Sequence, residues 1–104
     1  MRYFRLAYKD NMTSTTHVED VRADSREDAI AKACGCGYPL TQVREISLAE
    51  RVSAIEGHID MADFDRKMFI NIGMMSEERA QKNYDNVVAM YSKELAEVKE
   101  AMSV

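Results

Sequence analysis

The sequence predicts an α+β protein, and three observations carry that prediction. The N-terminal residues alternate apolar and polar in the manner of a half-buried strand. Helix-start and helix-stop signals follow from about residue 24 onward. The last third of the chain carries an apolar stripe at helical spacing with neither Gly nor Pro to break it. The expected architecture is an N-terminal β-hairpin plus helix, with room for a third strand, packed against a C-terminal set of helices ending in one long helix. At 104 residues the chain is expected to form a single domain, with residues 1–46 as its ββα(β) part and 47–104 as its helical part.

Phe4, Leu6 and Tyr8 fall on one side of the first stretch and Tyr3, Arg5 and Ala7 on the other, which marks a first strand over Tyr3 to Tyr8. Turn-forming Asp10 and Asn11 come next, and the β-branched Thr15, Thr16, Val18 and Val21 predict a second strand folded back as a hairpin. Val18 and Val21 break strict alternation. Either a bulge separates them, or only one of the two faces the core.

Ser25 is placed to accept a hydrogen bond from the backbone of Asp28, and the acids beside it favour the positive end of a helix dipole. Ala29, Ile30, Ala33 and Cys34 then form a narrow small-residue face, and Gly35, Gly37 and Pro39 are read as its stop. Thr41 to Ile46 is the candidate third strand. Ser47 and Glu50 match a capping box, and Leu48, Val52, Ile55 and Ile59 follow on one helical face. Gly57 is expected to interrupt that helix, with Asp60 capping a further segment that carries Met61, Phe64, Met68, Phe69 and Ile72 and ends at Gly73. The last helix opens at Ser76. Its residues Tyr84, Val88, Tyr91, Leu95, Val98 and Met102 are spaced as the seam of a heptad repeat. The expected core is Phe4, Leu6, Tyr8, Val18, Val21, Ile30, Val52, Ile55, Phe64, Phe69, Tyr84, Val88, Tyr91 and Leu95.

The net charge of -4 is spread thinly, and Lys and Arg occur singly or in pairs among acids. Direct nucleic-acid binding needs a concentrated basic face, so it is not expected. No membrane association is expected either, because no stretch approaches spanning length and the N-terminus lacks the apolar run of a secretory signal. A cytoplasmic protein is the expectation. Cys34 and Cys36, separated by one glycine, suit neither a mutual disulfide nor paired zinc knuckles. His17 and His58 are distant in sequence from them and from each other, so no metal site is expected. The glycines match no phosphate-cradling pattern, and most carboxylates sit where capping accounts for them. No cofactor and no catalytic residues are assigned, and the chain is expected not to be an enzyme.

What the sequence does offer is surface for contact. The seam of the last helix must be covered, either by the sheet of its own chain or by a second copy. Methionines cluster in the helical half, and flexible thioethers suit adaptable binding surfaces. The candidate protein-contact residues are Met74 and Met75, beside a helix break, and Leu95, Val98 and Met102 at the outer end of the seam, where a homodimer through the C-terminal helix is expected. The expected function is a non-enzymatic protein-binding module. The alternative is an oligomeric small-ligand or nucleotide-binding protein in which Arg and Tyr side chains hold an anion.

The stretch Val21-Arg22-Ala23-Asp24-Ser25-Arg26-Glu27-Asp28-Ala29, between strand and helix, resembles the strand-to-helix junction of short accessory proteins of bacteriophages and mobile elements. The likeness covers about the first half of the chain. It implies a stoichiometric protein that binds and inhibits a host or defence component in the host cytoplasm, and it implies no site residues.

Overall fold

A computed structural model describes residues 1–33 and 37–103, which form two compact units, Met1–Arg51 and Val52–Val104. Cys34, Gly35 and Cys36 lie outside the described residues, and with them the expectations placed on the two cysteines. The architecture is α+β, with a three-stranded antiparallel sheet followed by helices, the last of them the longest.

In the first unit, β1 (Tyr3–Asp10) is the central strand, flanked by β2 (Thr15–Arg22) on one side and β3 (Leu40–Ile46) on the other. Both neighbours run antiparallel to β1, so β2 and β3 are parallel to each other, and α1 (Arg26–Ala31) lies in the connection between them. The hairpin register is regular from Tyr3 opposite Arg22 to Asp10 opposite Thr15, whereas the β1–β3 ladder slips between Ala7 and Tyr8. Side-chain alternation puts Phe4, Leu6 and Tyr8 on one face, where they pack with Ala23 and Ala29 and are fringed by Val21, Ala33 and Val43. Leu6 is fully buried, a burial that stabilises the unit by about 2–3 kcal/mol.

The register answers the question that Val18 and Val21 posed. With no bulge between them, Val21 opposite Phe4 joins the core face, while Val18 opposite Ala7 points the other way and is 57% exposed. Ile30 also leaves the expected core, at 40% exposed, because α1 has under two turns and lays Ala29 inward, with Ala33 just beyond the helix packed beside it. Ser25 caps α1 as expected, its Oγ accepting from the Asp28 N–H at 3.0 Å. The helix ends at Ala31, before either of the glycines read as its stop.

The second face of the sheet carries an ion-pair cluster. Asp20, opposite Arg5 in the register, accepts from Arg5 Nε at 2.8 Å and from Arg51 at 3.0 Å. Arg51 comes from the first turn of α2 (Leu48–Asn71), and its guanidinium lies 5.3 Å from the centroid of the buried Tyr3 ring. The start of that helix is fixed by the capping box: Ser47 N–H donates to Glu50 and Glu50 N–H donates to Ser47 Oγ, both at 3.1 Å.

Most of α2 belongs to the second unit, and it is one helix of 24 residues rather than two. Gly57 does not interrupt it and Asp60 is not a cap. A mid-helix glycine costs only about 1 kcal/mol, and the helix formers around it, Ala54, Glu56 and Met61 among them, outweigh that. The chain reverses at Gly73, whose φ of 75° suits glycine, with the Met74 N–H returning to the Phe69 carbonyl at 3.0 Å. Ser76 then caps α3 (Glu77–Met102) by accepting from the Arg79 N–H at 3.2 Å.

The helices α2 and α3 pair antiparallel within this unit. His58 stacks on Tyr91 with ring centroids 5.1 Å apart, and two turns further along α2 the Arg66 guanidinium lies over Tyr84, 5.0 Å from its centroid. Each step forward on one helix is thus a step back on the other. A short turn between helices enforces that arrangement. The seam of α3 therefore meets α2 at Tyr84 and Tyr91. Phe64, expected in the core, is 60% exposed, because the inward positions of α2 are taken by Ile55, Ile59 and Phe69 and Phe64 lies on the opposite side of the helix.

Candidate functional site: a groove on the helical hairpin

Between α2 and α3 lies an open groove of about 460 Å³. Its apolar lining comes from Met61, Ala62 and Phe69 on α2, Met75 in the turn, and Ala80 and Val87 on α3. Polar groups converge at two places, Arg66 with Tyr84 and Asn83 near the turn, and His58 with Tyr91 farther along. An apolar cleft with a few placed polar groups is the usual form of a binding site.

Arg66 is the best-held side chain in the groove. It donates to Asp63 at 2.8 Å and Gln81 at 3.0 Å, and its plane lies over Tyr84, while its buried Nε has no hydrogen-bond acceptor. The hydrogen bond from Arg66 first, and that from Lys67, 3.0 Å away, second, keep the Asp63 carboxyl below the usual carboxylate range. A groove so built can take an apolar body and offer it aromatic edges. Among the described residues that line it there is no Ser, Thr, Cys or Lys.

The helical unit also carries exposed apolar side chains, of which Met61 lines the groove. Met61 is 55% exposed, Met74 66%, Met90 59% and Ile72 59%. Of the residues expected to make protein contacts, Met74 is thus on the surface and Met75 lines the groove beside it. Leu95 is half-buried, and Met102, 47% exposed, stands near the end of α3. Val98 is corrected: it is fully buried within a single chain and belongs to the core, so it cannot be a surface contact. Met61, Phe64, Ile72 and Met90 were not among the expected contacts. Their signal was present in the sequence, since Met61, Phe64, Met68 and Ile72 recur at helical spacing on the side of α2 away from Ile55 and Ile59.

The Asp20 cluster of the first unit reads differently. Burial pushes the Asp20 carboxyl up, but hydrogen bonds from Arg5 and Arg51, together with their charges, hold it below the usual carboxylate range. A carboxylate kept ionised between two guanidinium groups is a poor acid or base near neutrality. It works as a clamp joining β1, β2 and the start of α2. His17 stacks on Tyr38 in this unit, ring centroids 4.9 Å apart, while His58 lies in the other. Among the described residues no group of three His, Cys, Asp or Glu side chains is placed to hold a metal ion, and no helix is long and apolar enough to cross a membrane.

Fold and groove together define a class: an α+β protein whose helical hairpin carries a partly apolar cleft. No family model, no curated protein and no solved structure matches the chain.

Proposed function

We propose that the chain is a non-enzymatic protein-binding module that works in the cytoplasm by occupying a partner's surface. The observation that carries the reading is the number of exposed thioether and aliphatic side chains in the helical unit, Met61, Ile72, Met74 and Met90, together with a preformed groove that Met61 and Met75 line. Small soluble proteins leave such clusters wet only at a cost, and a partner that fills the groove removes it. Met74 and Met75 seat the partner at the turn end of the groove. Stoichiometric inhibition of a host or defence component, the role implied by the resemblance to phage accessory proteins, is the biological form this binding takes. The test is affinity purification from the native host with the wild-type chain and with Met75→Glu, each confirmed as folded by circular dichroism. A partner retained by the wild type and lost by the variant supports the groove as the contact. A partner held equally by both removes it.

The second reading, a small-ligand or nucleotide-binding protein, is favoured by one feature, the Arg66 guanidinium over Tyr84 inside the groove. A saturable thermal shift with a nucleotide, abolished by Arg66→Gln and obtained in the absence of any protein partner, would favour it over the first.

A further inference from the structure

Gly57 stands in the middle of a 24-residue helix, and its backbone does not take the positive φ that favours glycine. A Cβ built at that position meets no atom within 4 Å, so alanine would fit and would favour the helix. The same side of α2 shows Met61 at 55% and Phe64 at 60% exposed, and Ile72 at 59%. Ala54, Gly57, Met61, Phe64 and Met68 alternate steps of three and four residues, the spacing of a coiled-coil seam, with Ile72 one turn beyond. This outer seam is distinct from the inward one, which carries Ile55, Ile59 and Phe69.

We propose that the outer seam of α2 is a docking surface for a second copy of this chain, the two α2 helices packing antiparallel about a twofold axis between Ala62 and Asp63. The choice of a second copy rests on self-complementarity. In that register Met61 meets the partner's Phe64, and Phe64 meets the partner's Met61. Gly57 receives the partner's Met68, so at the ends of the Met61–Phe64 pairs a large side chain faces a glycine. The flanks agree with the seam. Asp60 lies opposite the partner's Lys67 on one edge, and His58 lies opposite the partner's Asp65 on the other, an imidazole donor facing a carboxylate acceptor. Both edges repeat by symmetry. Lys67 is 65% exposed and pairs with Asp63 on its own helix, which leaves its ammonium in reach of a second carboxylate from solvent. The register also explains Gly57: a side chain there would hold the two helices apart where Met68 of the partner subunit must enter.

This inference goes beyond the proposed function and does not rest on it. A monomer would leave the groove available to a foreign protein, and the Met75→Glu test reads that separately. The experiment here is sedimentation equilibrium of the full chain across a micromolar-to-millimolar dilution series. The wild type is expected to be a reversible dimer. Phe64→Glu, whose side chain is exposed in the single chain, is expected to weaken association at least about 100-fold with an unchanged far-ultraviolet circular dichroism spectrum. Lys67→Glu is expected to weaken it by roughly three- to tenfold, and Asp60→Lys added to Lys67→Glu to restore it, because the reversed pair again matches across the twofold axis. A wild type that stays monomeric throughout, or a dimer indifferent to Phe64→Glu, overturns the surface. Failure of the double reversal to restore association overturns the register.

Discussion

Replacing Asp20 by Asn keeps the shape of the side chain and removes the charge between Arg5 and Arg51. The Asp20 side chain is 4% exposed and that of Arg51 is 8%, so the substitution takes the Asp20 charge away from a buried guanidinium. Breaking a buried pair by deleting one partner costs about 3–5 kcal/mol. The lower end applies here, because Arg5 is 28% exposed and turns readily to water, and because the Tyr3 ring stays beneath Arg51. A loss of about 3 kcal/mol in a chain of this size lowers the melting temperature by roughly 12–20 °C. Replacing the whole pair, Asp20→Leu with Arg51→Met, is expected to cost under about 1 kcal/mol, since the desolvation penalty disappears together with the attraction. The effect also has a pH signature. Folding lowers the Asp20 pKa, so its contribution is fully present above the unfolded value of about 3.9 and is lost as pH falls through the lower folded value. Urea unfolding followed by circular dichroism at neutral pH and near pH 2 measures both. The gap between wild type and Asp20→Asn should narrow on acidification; a variant within about 0.5 kcal/mol of wild type at pH 7 would refute the clamp.

Three further substitutions probe other parts of the account. Ser47→Ala removes half of the capping box at the start of α2 and should cost about 0.5–2 kcal/mol in urea unfolding, with no change in association. Gly57→Ala, made in the Phe64→Glu background so that monomers are compared, should raise stability by about 0.5–1 kcal/mol; a loss would mean that the helix needs glycine for its own sake. Val18→Thr should change stability by less than about 0.5 kcal/mol, because Val18 faces solvent, and a loss approaching 2 kcal/mol would place it back in the core.

How much of this was legible in the sequence differs by element. The strands and the starts of the three helices were readable because their signals are local: alternation in Phe4, Leu6 and Tyr8, and side-chain caps at Ser25, Ser47 and Ser76 that need only the next turn of backbone. The continuity of α2 was not, since a glycine and a capping-type aspartate in sequence look like a break, and only the summed preference of their neighbours decides otherwise. The face assignments of Val18 and Phe64 depended on register and on which helix face found a partner, both of which are set by distant residues. Val98 was misplaced for the same reason. The Asp20 clamp joins residues 5, 20 and 51, and no spacing rule could have brought them together. The groove arises only when α3 returns along α2. The second apolar stripe of α2, by contrast, is local, and a wheel of that helix drawn without a break at Gly57 shows it.

The most direct test of the central claim, that α2 covers the α3 seam from within the same chain and leaves its own outer stripe outward, is a filtered nuclear Overhauser experiment on an equal mixture of labelled and unlabelled protein. Contacts between His58 and the Tyr91 ring and between Arg66 and the Tyr84 ring should appear only within a chain, while Met61-to-Phe64 contacts should cross between chains. Contacts of Tyr84 and Tyr91 that cross between copies, with none to His58 or Arg66 of their own chain, would contradict it.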